Sequence, residues 1–193
     1  MQDYKTNRTW NVPVGITSFR LEFVHDWTQR TARLSVDKAF FREFTNIRDG
    51  SNYQFDLQHE HGGETKRAQC DLKINLKNKD GCCYIFKING KPYDAYKKEF
   101  SARYDVWQVV IGKRQTRIVL DKQELTVWGR GALLSSKREF DPESDGVITS
   151  FVISEAQCKI LTKNEQNGGL YHELVVQEMD VPERRVHIHT DLY

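Results

Sequence analysis

The feature of this chain that most restricts its fold is that the second half restates the first. Trp10-Asn11-Val12 matches Trp107-Gln108-Val109 at a separation of 97, and Arg20-Leu21-Glu22-Phe23 matches Arg117-Ile118-Val119-Leu120 at the same separation. Arg42-Glu43-Phe44 returns as Arg138-Glu139-Phe140, and Phe55-Asp56-Leu57 as Phe151-Val152-Ile153, both at 96. Gln69-Cys70 returns as Gln157-Cys158 and Gly81 as Gly169, at 88, and Pro92 pairs with Pro182 at 90. Each match alone is weak. Seven in chain order, with one step down in separation of the kind a shorter loop produces, point to two tandem copies of one unit. The 193 residues then read as an N-terminal domain over 1–96 and a C-terminal domain over 97–193, with a polar tail after Pro182. Each is large enough to bury its own core.

The apolar phase says what the unit is. Phe19, Leu21 and Phe23 alternate with Arg20 and Glu22, and Cys70, Leu72, Ile74 and Leu76 with Asp71, Lys73, Asn75 and Lys77. A period of two is that of a half-buried strand. Cys82, Tyr84, Phe86 and Ile88 share a face, and the repeat sets Leu170, His172, Leu174 and Val176 in the same phase. Asp49-Gly50, Asn89-Gly90 and Asp145-Gly146 supply turn chemistry between such runs. Seven or eight short strands per half are expected, so the fold class is all-β: two tandem antiparallel β-sandwich domains. One helical phase stands out, Tyr93, Tyr96, Phe100 and Tyr104. It fits a short linker helix, and equally an irregular connector.

Composition then excludes several function classes. Basic and acidic residues number 29 and 27, for a net charge of +2, and neither half is strongly basic. That argues against nucleic acid as the main partner. No apolar run approaches the roughly 20 residues of a membrane span, so no membrane partner is expected. Residues 1–10 are polar, which reads as no signal peptide. The four cysteines, Cys70, Cys82, Cys83 and Cys158, are too few for a secreted disulfide framework, so a cytosolic protein with reduced thiols is expected. The sequon Asn7-Arg8-Thr9 then carries no glycan.

A search for chemistry returns little. The chain holds no Gly-rich phosphate loop, no Cys-x-x-Cys and no nucleophile elbow. Ser135-Ser136 stands in what reads as a polar loop with no histidine near it in sequence. His59-x-His61 and His187-x-His189 each have the spacing to project two imidazoles from one strand face, with His25 or Cys83 as a third metal ligand. The plainer reading of both pairs is a solvated polar face. His172 reads as a hydrogen-bonded core histidine, Cys70 and Cys158 as small core residues, and Cys83 as the outward member of the vicinal pair. Trp107 and Trp128 read as core aromatics. No catalytic residue, cofactor or metal is assigned.

One ordered set of residues carries a resemblance. Tyr84-x-x-Lys87-Ile88-Asn89-Gly90-Lys91 is followed by Arg117-Ile118-Val119-Leu120-x-Lys122 and Val127-Trp128. Phe151-x-Ile153, Cys158-x-Ile160, His172-x-Leu174-x-Val176 and Val181-Pro182 complete it. In this order the chain resembles the Fas apoptotic inhibitory molecule family, in its short form, from Trp10 to Pro182. The resemblance implies two tandem β-sandwiches, a cytosolic location and no known catalysis. It implies other proteins as partners, either death-receptor pathway components or misfolded clients held soluble without ATP. Three departures bear on partner choice. Gly129-Arg130-Gly131 replaces an Asn-Gly turn, Lys38 stands where a glycine is usual, and the tail from Glu183 to Tyr193 is long. The competing reading is a β-sandwich module that binds a small ligand, carbohydrate or peptide.

Overall fold

A computed structural model describes residues 5–61, 63–77, 81–142, 145–164, 168–177 and 184–186. It divides into two compact units between Phe100 and Ser101. The first contains β1 (Lys5–Val14), β2 (Thr17–Asp26), β3 (Thr31–Val36), β4 (Ala39–Phe44), β5 (Asn52–His61), β6 (Glu64–Lys77), β7 (Gly81–Ile88) and β8 (Lys91–Pro92). They form two antiparallel sheets, in the orders β1-β2-β3-β4 and β5-β6-β7-β8. The period-two strands give each sheet one apolar face. Val12, Leu21, Phe23 and Leu34 of the first sheet meet Phe55, Cys70, Leu72, Ile74 and Ile88 of the second in one buried cluster. Water is excluded only when the two faces cover each other, which makes the sandwich.

A helix, α1 (Tyr93–Arg103), follows β8, so the aromatic phase of the sequence is helical. Asp94 in its first turn and Arg103 in its last suit the helix dipole. Its phenols bind β1, an outer strand of its sheet. Tyr93 Oη donates to Asn11 O at 2.8 Å and accepts from Asn11 N at 3.1 Å, while Tyr96 Oη donates to Pro13 O at 2.7 Å. These bonds satisfy main-chain groups that an outer strand otherwise leaves to water.

The second unit contains β9 (Tyr104–Ile111), β10 (Arg114–Asp121), β11 (Thr126–Gly129), β12 (Ala132–Leu133), β13 (Ser136–Asp141), β14 (Gly146–Ile153), β15 (Ala156–Asn164), β16 (Leu170–Gln177) and β17 (Arg184–Val186). Its sheets run β12-β11-β10-β9 and β13-β14-β15-β16-β17. Trp107, Ile118, Leu120, Phe151, Cys158, Ile160 and Leu174 are among its core residues. The repeat is visible in the registers: Trp10 faces Leu21 as Trp107 faces Ile118, and Phe55 faces Cys70 as Phe151 faces Cys158.

Four expectations are corrected. The second unit has nine strands among the described residues, more than the seven or eight expected. Arg42-Glu43-Phe44 and Arg138-Glu139-Phe140 are not equivalent: the first lies in β4 beside β3, the second in β13 beside β14, on the other sheet. Leu170, placed by the repeat on the apolar face, is exposed because it opens β16 at the rim. Ser136 opens β13 instead of lying in a loop. The turn departures are absorbed locally. Arg130 (φ 52°) and Gly131 (φ 75°) make a left-handed two-residue turn, as do Asp37 (φ 50°) and Lys38 (φ 69°).

Two measurements check this organisation. A fragment ending at Arg103, which keeps α1 whole, should unfold cooperatively by itself; a fragment without a sigmoidal denaturant transition contradicts two independent cores. Tyr93→Phe removes the donor to Asn11 O and should lower stability by about 1 kcal/mol in urea unfolding.

Candidate functional site

Edge strands are where a sandwich meets other chains, because their outer N–H and C=O groups lack a neighbour. Among the described residues β4 ends its sheet, and of its six residues only Phe44 is buried. Phe40 and Phe41 are 57% and 43% exposed. The Arg33 guanidinium lies over the Phe40 ring at 4.9 Å, and the Phe41 ring contacts Phe55 at 5.7 Å. The pairing of β4 with β3 shifts register at Leu34/Ser35, a bulge that bends the strand. In the second unit β13 ends its sheet, with Phe140 64% exposed and Val152 exposed on the neighbouring β14. Charges intersperse both edges: Arg42 and Glu43 on β4, and the Lys137–Glu139 ion pair with Arg138 on β13.

Lysines in strand-like runs suggest guarded edges in the sequence, but the structure places them elsewhere. Lys73, Lys87 and Lys159 are exposed on β6, β7 and β15, all of which have a neighbour on both sides. They wet the outer faces of the sheets. The Lys77 side chain lies outside the described residues.

The histidine pairs are only partly visible. His59 is half-buried on β5, while the His61 side chain, His187 and His189 lie outside the described residues. His25 is in the core, and Cys83 is exposed on β7 opposite Asn75. Among the described residues no three His, Cys, Asp or Glu side chains gather closely enough to hold a metal. Ser135 and Ser136 border an open cleft of about 500 Å³ with Lys137, Ser150, Val152 and Lys159, and no histidine lines it. Trp107 is fully buried, and Trp128 is half-buried with Nε1 bonded to Thr126 Oγ1 at 3.1 Å.

The densest polar cluster is one that no motif announces. In the second unit, Lys122 Nζ donates to Ser101 O at 2.7 Å and to Asp105 Oδ1 at 2.9 Å. His172, 3% exposed, sits with Nε2 3.8 Å from Asp105 Oδ2, an electrostatic contact too long for a hydrogen bond, and with Nδ1 2.9 Å from Thr162 Oγ1. Next to it Arg103 holds buried Asp121 through Nε and Nη2 at 3.0 and 2.7 Å. Burial pushes the His172 pKa down; the Asp105 carboxylate opposes that and the Lys122 ammonium adds to it. Burial raises the Asp121 carboxyl, but Arg103 and the amides of Glu124 and Gln123 more than offset this and hold it low. The order hydroxyl, imidazole, carboxylate is that of an acyl-transfer relay. Here the imidazole and carboxylate are both buried, and their 3.8 Å contact is too long for the relay's hydrogen bond. The cluster has the properties of a structural network.

In the first unit the positions of Lys122 and His172 are held by His25 and Tyr84, with His25 Nδ1 3.0 Å from Tyr84 Oη. Burial lowers the His25 pKa, against a smaller upward pull from Asp26. Asp105, Asp121 and Arg103 escaped the sequence reading, which named Lys122 only within the motif of the resemblance. The available signal was the charge change at repeat positions, Arg8 to Asp105 and His25 to Lys122.

Cys70 and Cys158 occupy matching places, each Sγ pointing back to the carbonyl two residues earlier, Ala68 O at 3.9 Å and Ala156 O at 4.0 Å. Burial, with a smaller push from Asp56, raises the Cys70 thiol to about 12. A buried thiol that stays protonated is a poor nucleophile. A thiol reagent should therefore label Cys83 in the native protein and reach Cys70 and Cys158 only on unfolding; native labelling of either core thiol contradicts the packing.

The two core histidines set a second expectation. Both native pKa values lie below the ordinary 6.5, so below pH 6.5 the unfolded chain binds protons that the fold refuses. Their contribution is fully present above pH 6.5 and is lost as pH falls toward the lowered native values. Urea midpoints should drop across that window, and the slope should flatten in a His25→Asn/His172→Asn variant. An unchanged slope contradicts the assignment.

The sequence model of the family described as Fas apoptotic inhibitory molecule (FAIM1) matches residues 6–184. Fas apoptotic inhibitory molecule 1 of Homo sapiens is 27% identical over 179 residues, covering 90% of this chain and 94% of the relative. The Bos taurus protein of that name is 26% identical, covering 90% and 84%, and the Mus musculus protein 25%, covering 90% and 94%.

Proposed function

The chain belongs to the Fas apoptotic inhibitory molecule family, and on that premise we propose that it is a non-enzymatic cytosolic protein that acts by binding other proteins. Its relatives' name supports a role in restraining Fas-type apoptosis. The observation that carries the binding mode is β4, an edge strand with Phe40 and Phe41 largely exposed. An extended segment of a misfolded client pairs its backbone with the free side of such a strand and sets apolar side chains against the two rings. Edge charges at Arg42 and Glu43 disfavour pairing of two copies of the protein with each other. The edge strand β13, with Phe140, offers a second surface of the same kind. This is a holdase mode and needs no ATP.

A carbohydrate- or peptide-binding module is the second reading, favoured by the open cleft at Ser136, Ser150 and Lys159. Hydroxyl and ammonium groups on a shallow sheet face suit a sugar or a polar peptide.

Light scattering of a heat-labile client separates the two. A several-fold excess of the protein should suppress aggregation, and Phe40→Lys/Phe41→Lys should lose most of that suppression while keeping a native unfolding curve. Suppression unchanged by the double substitution removes β4 from the mechanism. No suppression at all, with saturable oligosaccharide binding, puts the second reading first.

A further inference from the structure

The two units handle buried polar groups differently at one position of the repeat. In the second unit, Asp105 on β9 supplies a carboxylate to Lys122 and His172. At the repeat separations of 97 and 88, the corresponding residues of the first unit are Arg8, His25 and Tyr84. A cation thus replaces the carboxylate, and Arg8 places its guanidinium over the Tyr84 ring at 5.5 Å. No acidic side chain of β1 takes the place of Asp105.

The histidine at this position is 1% exposed, with Nδ1 engaged by Tyr84 Oη and its ring 4.2 Å from that of Trp27. This contact leaves Nε2 as the second hydrogen-bonding atom of the ring. His25 also borders a cleft of about 270 Å³ whose other walls are Trp27, Arg30, Ile47, Arg48 and Asp49. Two turns bring these residues together, and both are tied down: Gln29 N donates to Asp26 Oδ1 at 2.9 Å, Ile47 N to Arg30 O at 3.0 Å, and Arg48 N to Ser51 Oγ at 2.9 Å. Among the described residues neither the Arg30 nor the Arg48 side chain has an ion pair. Two guanidiniums outnumber the one carboxylate of Asp49 around a cleft with an aromatic and an aliphatic wall.

We propose that the cleft between the β2–β3 turn and the β4–β5 loop binds an oxyanion, a carboxylate or phosphate group, supplied from outside the chain. Arg30 and Arg48 present forked N–H donors, the geometry that matches a planar carboxylate or a phosphate face. Trp27 and Ile47 keep bulk water from one side, which strengthens each charged hydrogen bond. The His25 imidazole forms the core side of the cleft. This inference does not rest on the edge-strand reading, since β4 contributes no residue to the cleft.

The test is a titration of the isotope-labelled full chain, followed at the Trp27 indole and His25 ring signals. Inorganic phosphate and acetate are added separately, with ionic strength held constant by sodium chloride. Saturable shifts of the Trp27 and His25 signals are expected, with the Trp128 indole of the second unit as an unmoved control. Arg30→Gln/Arg48→Gln should weaken the response at least tenfold; both side chains are exposed, so the rest of the spectrum should be retained. Arg48→Lys, which keeps the charge but not the fork, should weaken it less. Saturation by phosphate alone assigns a phosphate site, and by acetate alone a carboxylate site. Linear, non-saturating shifts with both anions overturn the proposal, as does a response that the double variant leaves unchanged.

Discussion

Phe23 lies fully buried between the two sheets of the first unit, with Tyr84 of the facing sheet at 5.7 Å and Phe44 and Trp10 of its own sheet at 6.3 and 6.4 Å between ring centroids. Contacts of this kind between facing sheets hold the unit together. A four-stranded sheet with one apolar face has no stable existence in water until that face is covered. Phe23 belongs to the first sheet and Tyr84 to the second, so their edge-on contact fixes how the sheets face each other as well as burying area. The second unit meets the same requirement with different residues. Leu120 stands where Phe23 does in the repeat, and the bulk comes from the fully buried Trp107. Preserved volume with changed chemistry is what close packing permits.

This constraint explains which parts of the fold were legible in the sequence. Strand phase is a local property with period two, so Phe19–Phe23 and Cys70–Ile74 declared their inward faces without any knowledge of partners. The repeat extended the reading to β16, where His172, Leu174 and Val176 are buried as their first-half equivalents require. It failed at Arg42-Glu43-Phe44. Three matching residues fixed a separation but not a neighbour, and β4 and β13 belong to different sheets. The lysines failed for a related reason. A charged residue on the outward phase looks the same on an edge strand as on an inner one, and only the strand order separates them. The core place of His172 was legible, but its grouping with Asp105 and Lys122 was not, because these partners are 67 and 17 residues from Asp105 in the chain.

The free ends of the sheets are treated unequally. β1 has an exposed flank in sequence terms, yet Tyr93 and Tyr96 of α1 close part of it with hydrogen bonds to Asn11 and Pro13. No comparable side chain is bonded to the main chain of β4 among the described residues, and its protection is limited to a bulge, an arginine over Phe40 and the charges of Arg42 and Glu43. The two edges of one sheet thus differ in availability. An exposed apolar edge is an aggregation hazard in a monomer, and the covered edge does not carry that hazard.

The polar clusters follow from the dielectric. A charge taken out of water is tolerated only where an opposite charge or a set of hydrogen bonds replaces the lost solvation. The second unit meets this condition internally, since Asp105 answers Lys122 and Asp121 answers Arg103. The first unit meets it by a different route. Its histidine is neutral, its phenol needs no counter-charge, and the Arg8 guanidinium rests on an aromatic face. Such a set needs no carboxylate on β1, with Asp26 the acidic group beside its histidine, and the arginines of the neighbouring loops, Arg30 and Arg48, are exposed. The two units thus carry different polar groups at equivalent positions of the same sandwich. The fold depends on the apolar faces, and what each unit presents to other molecules depends on the few polar positions that the packing leaves free to vary.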